Sequence, residues 1–508
     1  MSFATGRTMR LLLDLRPALE GFSGIPQETR LLFKHLHRPP ELEMAGLIQS
    51  PHRVLAKGLP LRPDKAERLP AHKRKRRLAR MIVSLLERPG HRGRYLASVL
   101  RAKLRAEFGG AVPLSAFDPD GFEDFIWRSI FSKSLGAEDR RDIVGREFRI
   151  ASDPWHALYY GGRRWVTPRP PAYPALDTRG YDVFIGQKPF AARTAPGTAQ
   201  VIRYHDAMPV FMPQVIPEKA LHLATHIDPL ADNVRSGAWF CCISDATRRD
   251  LLTMFPDAEP RAETVHNIVS PAYHDRPERR ERVAAIIRTR LYEECDWLPS
   301  FSTLSAKRDF YAAALPSGMR GRGFPYLLMV STIEPRKNHQ RLVAAWERLR
   351  SAGHDKLKLV VVGSMGWDNA AIRESFRPWL ESGDLFMLAG VPATDLRVLY
   401  QHAEATVCPS LGEGFDYSGV EAMRSGGIVV SSDLPVHREV YDDASLYFDP
   451  YSTKDLTDTL ERLLGRRGKP LRETLRTRGA EVGARYTPSR LLPQWQAFLQ
   501  RACADRPR

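Results

Sequence analysis

The 508-residue sequence has no apolar run approaching the ~20 residues that cross a bilayer, so no membrane-spanning helix is expected. It opens MSFATGRTMRLLLDLRPAL, where a short apolar patch is broken by Asp14 and Arg16. That pattern reads as a first strand and not as a signal peptide. Cysteine is scarce. The five residues Cys241, Cys242, Cys295, Cys408 and Cys503 offer neither a disulfide framework nor metal-ligand spacing. A cytoplasmic location is the simplest expectation. Acidic residues are the minority, 59 against 76 Lys and Arg, which gives a formal charge of +17 and a pI of about 9.8. Such a balance favours a polyanionic partner: nucleic acid, an anionic membrane surface or a phosphorylated substrate.

What is present is enough apolar material, 43% of residues, for cores in two or three domains. The charge is uneven. Between His72 and Arg105 twelve Lys and Arg face a single acid, Glu87. Within that block Leu78, Met81, Ile82, Leu85 and Leu86 have helical spacing, and Leu96, Val99, Leu100 and Leu104 form a second helical pattern after Pro89-Gly90. These are basic amphipathic helices. Either their arginines simply face water, or the pair docks on anionic lipid.

The rest of the first half alternates strand and helix. Residues 9–15 read as a strand, Gly21 to Gly24 as a tight loop, and Leu31, Leu32, His35 and Leu36 as a helix, the opening of a Rossmann-like unit. Further strands are expected at 181–186, 199–204, 239–243 and 265–269. Ser244 should cap a helix through Met254. His205-Asp206 ends the 199–204 strand, where open α/β sheets place ligands. A lone histidine is more often structural, but this one heads a Pro-rich loop.

From residue 324 the alternation is regular. Strands are expected at 326–330, 357–362, 385–388, 405–408, 428–431 and 446–448, with Asn338 and Thr394 as helix caps and a closing helix at 491–503. This is a parallel, doubly wound pattern. One stretch dominates it: CPSLGEGFDYSGVEAMRSGG, Cys408 to Gly427, a strand, loop and helix with seven residues between Glu413 and Glu421. The helix start offers free N–H groups to an anion, and the two acids could reach either end of a phosphate-containing ligand. They could also be a loop acid and a solvated helix acid. Arg336-Lys337 follows the first strand of this half and could neutralise a diphosphate. Gly363-Ser364 ends the next strand on the same edge. Asp118-Pro119-Asp120 spells a metal-binding Asp-x-Asp, but in a Phe/Gly/Pro-rich loop it reads as turn chemistry.

STIEPRKNHQRLVAAW, LVVVGSMGW, LAGVPATDLRVLY, PSLGEGFDYSGVEAM and SGGIVVSSDLPVHREV resemble the retaining GT-B glycosyltransferases of glycosyltransferase family 4, as do HDAMPVFMP and CISDATRRDLL in the first half. The resemblance implies an α/β GT-B fold: two Rossmann-like domains with a cleft between them, here with a basic helical insertion in the first. The implied division is an acceptor domain at 1–275 with the insertion at about 52–150, a linker at 276–323, a nucleotide-sugar domain at 324–483 and a closing helix within 484–508 that packs back on the first domain. By the same resemblance, Arg336 and Lys337 bind the donor diphosphate, Glu421 holds the ribose hydroxyls, and Glu413 lies near the donor sugar. Gly363, Ser364, Gly390, Val391, Gly414, Phe415, Asp416, Tyr417, Ser418, Gly419 and Val420 complete the donor side. His205 takes the family's active-site histidine position, with Asp206, Gly21 and Gly24 facing the acceptor. His205, Glu413, Arg336 and Lys337 are thus the catalytic candidates.

No metal and no cofactor is implied beyond a GDP- or UDP-linked sugar, GDP-mannose being favoured. The implied activity is retaining, metal-independent hexosyl transfer to a glycan or lipid-linked glycan in cell-surface polysaccharide or lipopolysaccharide assembly. The enzyme would then work at the inner membrane face, with residues 72–105 on the lipid. Two departures stand out. Ser331-Thr332 replaces a common Gly-Arg, and Asp416-Tyr417-Ser418 replaces the usual Gly-Leu-Pro, which makes this triplet the place to look for donor selectivity. A nucleic-acid-binding protein using the basic helices, or a GT-B chain that binds without catalysing, are the alternatives.

Overall fold

Two separate parallel sheets organise the chain in the computed structural model, which describes residues 8–22, 24–55, 68–87, 92–163, 170–292, 299–315 and 323–506. The first half contributes β1 (Met9–Asp14), β2 (Leu42–Ile48), β3 (Ala111–Val112), β4 (Ser115–Phe117), β5 (Phe148–Ile150), β6 (Ala175–Leu176), β7 (Val183–Gly186), β8 (Ala199–Tyr204), β9 (Trp239–Cys242) and β10 (Ala262–Thr264). The second contributes β11 (Tyr326–Val330), β12 (Lys358–Val362), β13 (Leu385–Leu388), β14 (Ala405–Cys408), β15 (Val429–Ser432) and β16 (Ser445–Phe448). The first sheet runs β10-β9-β8-β7-β1-β2-β5-β4, parallel except for β4 against β5, and β3 pairs only with β6. The second runs β13-β12-β11-β14-β15-β16 and is parallel throughout.

The strands are near-continuous apolar runs because both faces of each sheet are covered. Leu11, Leu13, Val183, Ile185 and Val201 project to one side of the first sheet, and Leu12, Phe184 and Ile202 to the other. In the second sheet Leu328, Val360 and Val362 alternate with Leu327, Met329, Leu359 and Val361 in the same way. The core layer holding Leu11 and Leu328 is continuous between the halves, so the sheets share one packed layer instead of meeting only at a linker.

The C-terminal helix Pro488–Ala504 lies on β7 and β8 of the first sheet, across the chain from its own sheet. Trp495 anchors it, fully buried, with the Arg203 guanidinium 4.9 Å from its ring centre. Arg501 and Arg506 add ion pairs to Glu263 and Asp182 at its rim.

The structure departs from the sequence reading in several places. Residues 265–269 are not a strand. Val265 extends the β9–β10 ladder by one bond to Cys242, after which His266 and Asn267 turn their side chains to Glu439 and Arg203. The stretch 52–150 is more than helical. It holds the expected helices Ala71–Leu86 and Arg92–Glu107, but β4 and β5 from the same stretch extend the first sheet. Strands of three residues are too short to show a period. Asn338 does not cap with its side chain: it is left-handed (φ 61°) and donates to the Pro409 and Pro450 carbonyls. Thr394 falls inside a helix that starts at Ala393. The expected linker 276–323 holds two helices, Arg282–Thr289 and Leu304–Ala314. Cys295 and residues 316–322 of the expected linker lie outside the described residues. Among the described residues no helix is long and apolar enough to cross a membrane.

Candidate active site

The C-terminal ends of both sheets face each other, and each sequence-derived candidate lies on one of these two edges. On the second sheet, β11 runs into a single 3-10 turn, Pro335–Lys337. Proline at its start fixes the backbone and aims Arg336 and Lys337 sideways across the sheet edge. There they meet the loop after β14. Lys337 Nζ is 2.5 Å from one oxygen of Glu413, and Arg336 is 2.9 Å from the other. Arg336 also donates to the Gly412 carbonyl at 2.7 Å and pairs with Glu334 at 2.8 Å. Burial pushes the Glu413 carboxyl up, but the Arg336 and Lys337 charges outweigh it and hold Glu413 below the usual range. Burial dominates at Glu334 and raises its pKa.

Close backbone approach explains the glycines around this triad. A Cβ on Gly363 would stand 1.9 Å from the Ser331 carbonyl, so glycine is needed where β12 ends against the β11 turn. A Cβ on Gly414 would be 2.0 Å from the His205 carbonyl of the other half. The Ser244 hydroxyl donates to the Gly414 carbonyl at 2.8 Å. The Glu413 loop therefore sits directly on the strand end that carries His205. A second clamp lies nearby. Glu439 accepts from the backbone N–H groups of Asp245 and Ala246 at 2.6 and 2.9 Å, using a carboxylate of one half to cap a helix of the other, and it also takes His266 at 2.8 Å.

His205 is buried at the end of β8. Its Nε2 lies 3.2 Å from Gln187 and 4.0 Å from Glu28. Burial and the charges of Arg203 and Lys188 hold its pKa far below the ordinary value, so the imidazole is neutral at neutral pH. Beneath it runs a fully buried ion pair, Glu28–Arg203 at 2.7 Å. Arg203 spends its remaining donors on the Val265 carbonyl and Asn267, while burial raises the Glu28 pKa. Glu28, Gln187 and Arg203 were missed in the sequence. The available signal was Arg203 itself, a charge inside an otherwise apolar strand. Asp206 accepts from the Met208 N–H and starts the next turn. Gly21 and Gly24 are both left-handed. Buried Arg30, its pKa lowered to about 9 by desolvation, donates to the Ala18, Glu20 and Gly21 carbonyls and so fixes that loop.

Not all candidates face the cleft openly. Asp416 is left-handed and caps the helix Tyr417–Arg424 through the Ser418 N–H and hydroxyl, with His437 3.4 Å away. Burial opposes its ionisation, but the bonds from His437 and Ser418 and the charge of Lys337 prevail. Its carboxylate thus holds the loop in shape, and the adjacent Tyr417 hydroxyl is buried without a hydrogen-bond partner. Ser418, Gly419 and Val420 are buried in the helix. Phe415 is buried against His266 and Tyr486. Ser364 and Gly390 are exposed, and Val391 is half-buried, on the β12 and β13 ends. Glu421 takes the Gln27 amide of the first half at 2.7 Å and the Tyr400 hydroxyl at 3.1 Å. Burial raises its pKa to about 7, against the pull of the Gln27, Tyr400 and Tyr273 hydrogen bonds. Asp118-Pro119-Asp120 forms a turn, the Asp120 N–H bonding to Asp118, and Asp120 pairs with Lys75. Among the described residues no group of His, Cys, Asp or Glu is arranged to hold a metal.

Comparison with known proteins bears on this geometry. The chain aligns along 98% of its length with sucrose-phosphate synthase from Thermosynechococcus elongatus, covering 100% of that chain at a TM-score of 0.53 and 13% identity. It aligns along 97% with the Anabaena protein Alr3699/HepE in complex with UDP, covering 100% of it at 0.51 and 10%. The fold is GT-B. Residues 320–482, the GT-B half that carries Arg336, Lys337, Glu413 and Glu421, match the family model described as Glycosyl transferases group 1. The chain is 34% identical over 142 residues to the serotype-specific mannosyltransferase WbdA of Escherichia coli and 35% over 125 residues to the O-antigen chain mannosyltransferase B of the same species. Those segments are 28% and 25% of this chain, and they span 17% and 33% of the two relatives.

The raised pKa of Glu421 has a stability consequence. Its folded value of about 7 exceeds the ordinary 4.5, so folding favours the protonated form. That contribution is complete below pH ~4.5 and is lost as pH rises through 7. Relative to wild type, Glu421→Gln should gain melting temperature between pH 5 and about pH 7 and level off above it. Parallel pH profiles for the two proteins would contradict the protonation assigned to Glu421.

Proposed function

We propose that the protein is a glycosyltransferase that moves a sugar from a nucleotide-sugar, with GDP-mannose the favoured donor, to a glycan or lipid-linked glycan of a cell-surface polysaccharide or lipopolysaccharide. The observation that carries this reading is the Arg336–Lys337 cation pair sharing Glu413 directly opposite His205. A donor diphosphate would replace Glu413 as the partner of one or both cations. When the bond from sugar C1 to the diphosphate breaks, C1 gains oxocarbenium character and negative charge grows on the leaving group. Arg336 and Lys337 stabilise that charge at fixed positions. In this reading transfer needs no metal, and the acceptor hydroxyl attacks the face that the diphosphate leaves, so the configuration at C1 is retained. Neutral His205 offers a hydrogen bond to a sugar or acceptor hydroxyl without adding charge. The ribose hydroxyls reach Glu421 in place of the Gln27 amide, and the base lies along 388–391. The mannosyltransferase matches support mannose as the sugar.

The acceptor half supports work at a membrane surface. Val83, Leu86, Leu96, Leu100, Leu104 and Phe108 are all exposed on or beside the two basic helices, and Leu96 is 66% exposed. Apolar side chains between arginines suit a lipid interface better than a nucleic-acid backbone.

Lys337→Ala should lower sugar transfer about 100-fold and weaken GDP binding, while Arg336 keeps Glu413 paired and the protein folded. Transfer should be insensitive to EDTA. Unchanged transfer in this variant would sink the diphosphate assignment. In sedimentation with anionic vesicles, replacing Leu96 and Leu100 by Asp should release the protein. Continued co-sedimentation would remove the membrane role of these helices.

A further inference from the structure

The loop that carries Glu413 ends on a left-handed residue that is not glycine. Asp416 stands at φ 61°, a conformation that a side chain keeps only where its surroundings fix it. One carboxylate oxygen does part of this locally, taking the Ser418 hydroxyl at 2.5 Å and the Ser418 N–H at 3.3 Å. The other oxygen lies 3.4 Å from Nε2 of His437, on the helix Pro435–Tyr441.

His437 is fully buried. Its Nδ1 is 2.9 Å from the Ser432 carbonyl, which can only accept, so Nδ1 carries a proton. Nε2 is buried and makes no hydrogen bond, and it faces the Asp416 carboxylate. A neutral ring protonated at Nδ1 would turn a lone pair towards that carboxylate. An imidazolium turns an N–H towards it. Both ring nitrogens thus face acceptors, the arrangement that suits a charged ring.

The ring is itself held in place. It stacks on Tyr441 with centroids 5.1 Å apart, and the Tyr441 hydroxyl donates to the Asp416 carbonyl at 3.1 Å. Gly419 leaves room for that tyrosine, since an added Cβ would stand 2.3 Å from its hydroxyl. On the same short helix Glu439 caps the first-half helix at Asp245 and Ala246. The helix that braces the loop is therefore pinned to the other half of the molecule.

Few charges face His437. Besides Asp416, the Asp433 carboxylate interacts with it but is paired with Arg438 at 2.7 Å. Tyr441, Cys408 beside the Tyr441 hydroxyl, and Tyr447, which donates to the His437 carbonyl, are all kept protonated by burial. Lys337 and Glu413 lie beyond Asp416 and act on that carboxylate with opposite signs.

We propose that His437 is a positioning residue for the donor loop: its imidazolium pairs with the Asp416 carboxylate, and this buried pair fixes the left-handed turn that joins Glu413 to the helix Tyr417–Arg424. When the proton on Nε2 leaves, a lone pair faces a carboxylate in a buried site and the turn loses its brace. Donor binding then weakens as pH rises. The donor role of the loop rests on the glycosyltransferase reading, whereas the ion pair does not.

Nitrogen-15 NMR of the histidine-labelled full chain, without ligand, reads the charge directly. The histidine signal that changes in Asp416→Asn belongs to His437. At neutral pH it should show protons on both ring nitrogens in the wild type and on Nδ1 alone in Asp416→Asn, whose amide supplies the hydrogen in place of the ring. A singly protonated ring in the wild type would overturn the proposal. Calorimetric titration with GDP reads the consequence. Between about pH 6 and about pH 9 the wild type should lose about tenfold more affinity than Asp416→Asn. Both proteins share the titrations of Glu421 and of GDP, so the difference belongs to the pair. His437→Leu should weaken GDP about tenfold at about pH 6, and far less in the Asp416→Asn background. Equal pH profiles for the wild type and Asp416→Asn would likewise overturn the proposal. A wild type that binds no GDP at any pH would strike the glycosyltransferase reading and the donor role of the loop with it, while the ion pair would stand or fall on its spectrum.

Discussion

One carboxylate, Glu413, shared between Arg336 and Lys337, sets the form of the cleft. Two cations this close repel, and a buried cation pair without a counter-charge is costly. Glu413 supplies the counter-charge from a loop that starts at the end of β14, so the β11 turn and the β14 loop are locked together. The same loop is too close to the β8 end to carry side chains at Gly412 and Gly414, where added carbons would meet Met212 and His205. Charge pairing in one half therefore fixes how the other half docks. Ser244 on Gly414 and Glu439 on the helix start at Asp245 hold that docking from either side. A diphosphate can compete for the cations because Glu413 already shows that the site stabilises negative charge.

The polar groups under the cleft work by contrast in charge state. Glu28 pairs with Arg203 in full burial and lies beside a histidine that burial and two cations keep neutral. Glu421, with Tyr400, Tyr273 and Gln27 around it, is raised by burial to about 7. Burial thus raises both acids, Glu28 against the pull of an arginine and Glu421 against that of hydroxyls and an amide.

Much of the cleft was legible in the sequence because parallel α/β sheets place strand C-termini on one edge. Arg336-Lys337, Gly363 and the Glu413 loop each follow an apolar run, and that alone predicts their convergence. What the linear order conceals are contacts between distant segments. Glu28 and Arg203 are far apart in sequence, and so are Gln27 and Glu421. Asp416 reads as a free acid next to a glutamate, but its left-handed backbone makes it a helix cap, a conformation no residue pattern announces. The three-residue strands β4 and β5 escaped for a plainer reason: neither is long enough to show alternation. Residues 265–269 look like a strand because they are apolar, yet their polar members are drawn into contacts across the cleft.

The central claim is that Arg336 and Lys337 form a diphosphate site held ready by Glu413. A crystal structure of the protein with GDP tests it directly. The account expects diphosphate oxygens within hydrogen-bond distance of both Arg336 and Lys337, with Glu413 displaced from at least one of them. A diphosphate bound elsewhere, with the Glu413 pair to both cations intact, would contradict it.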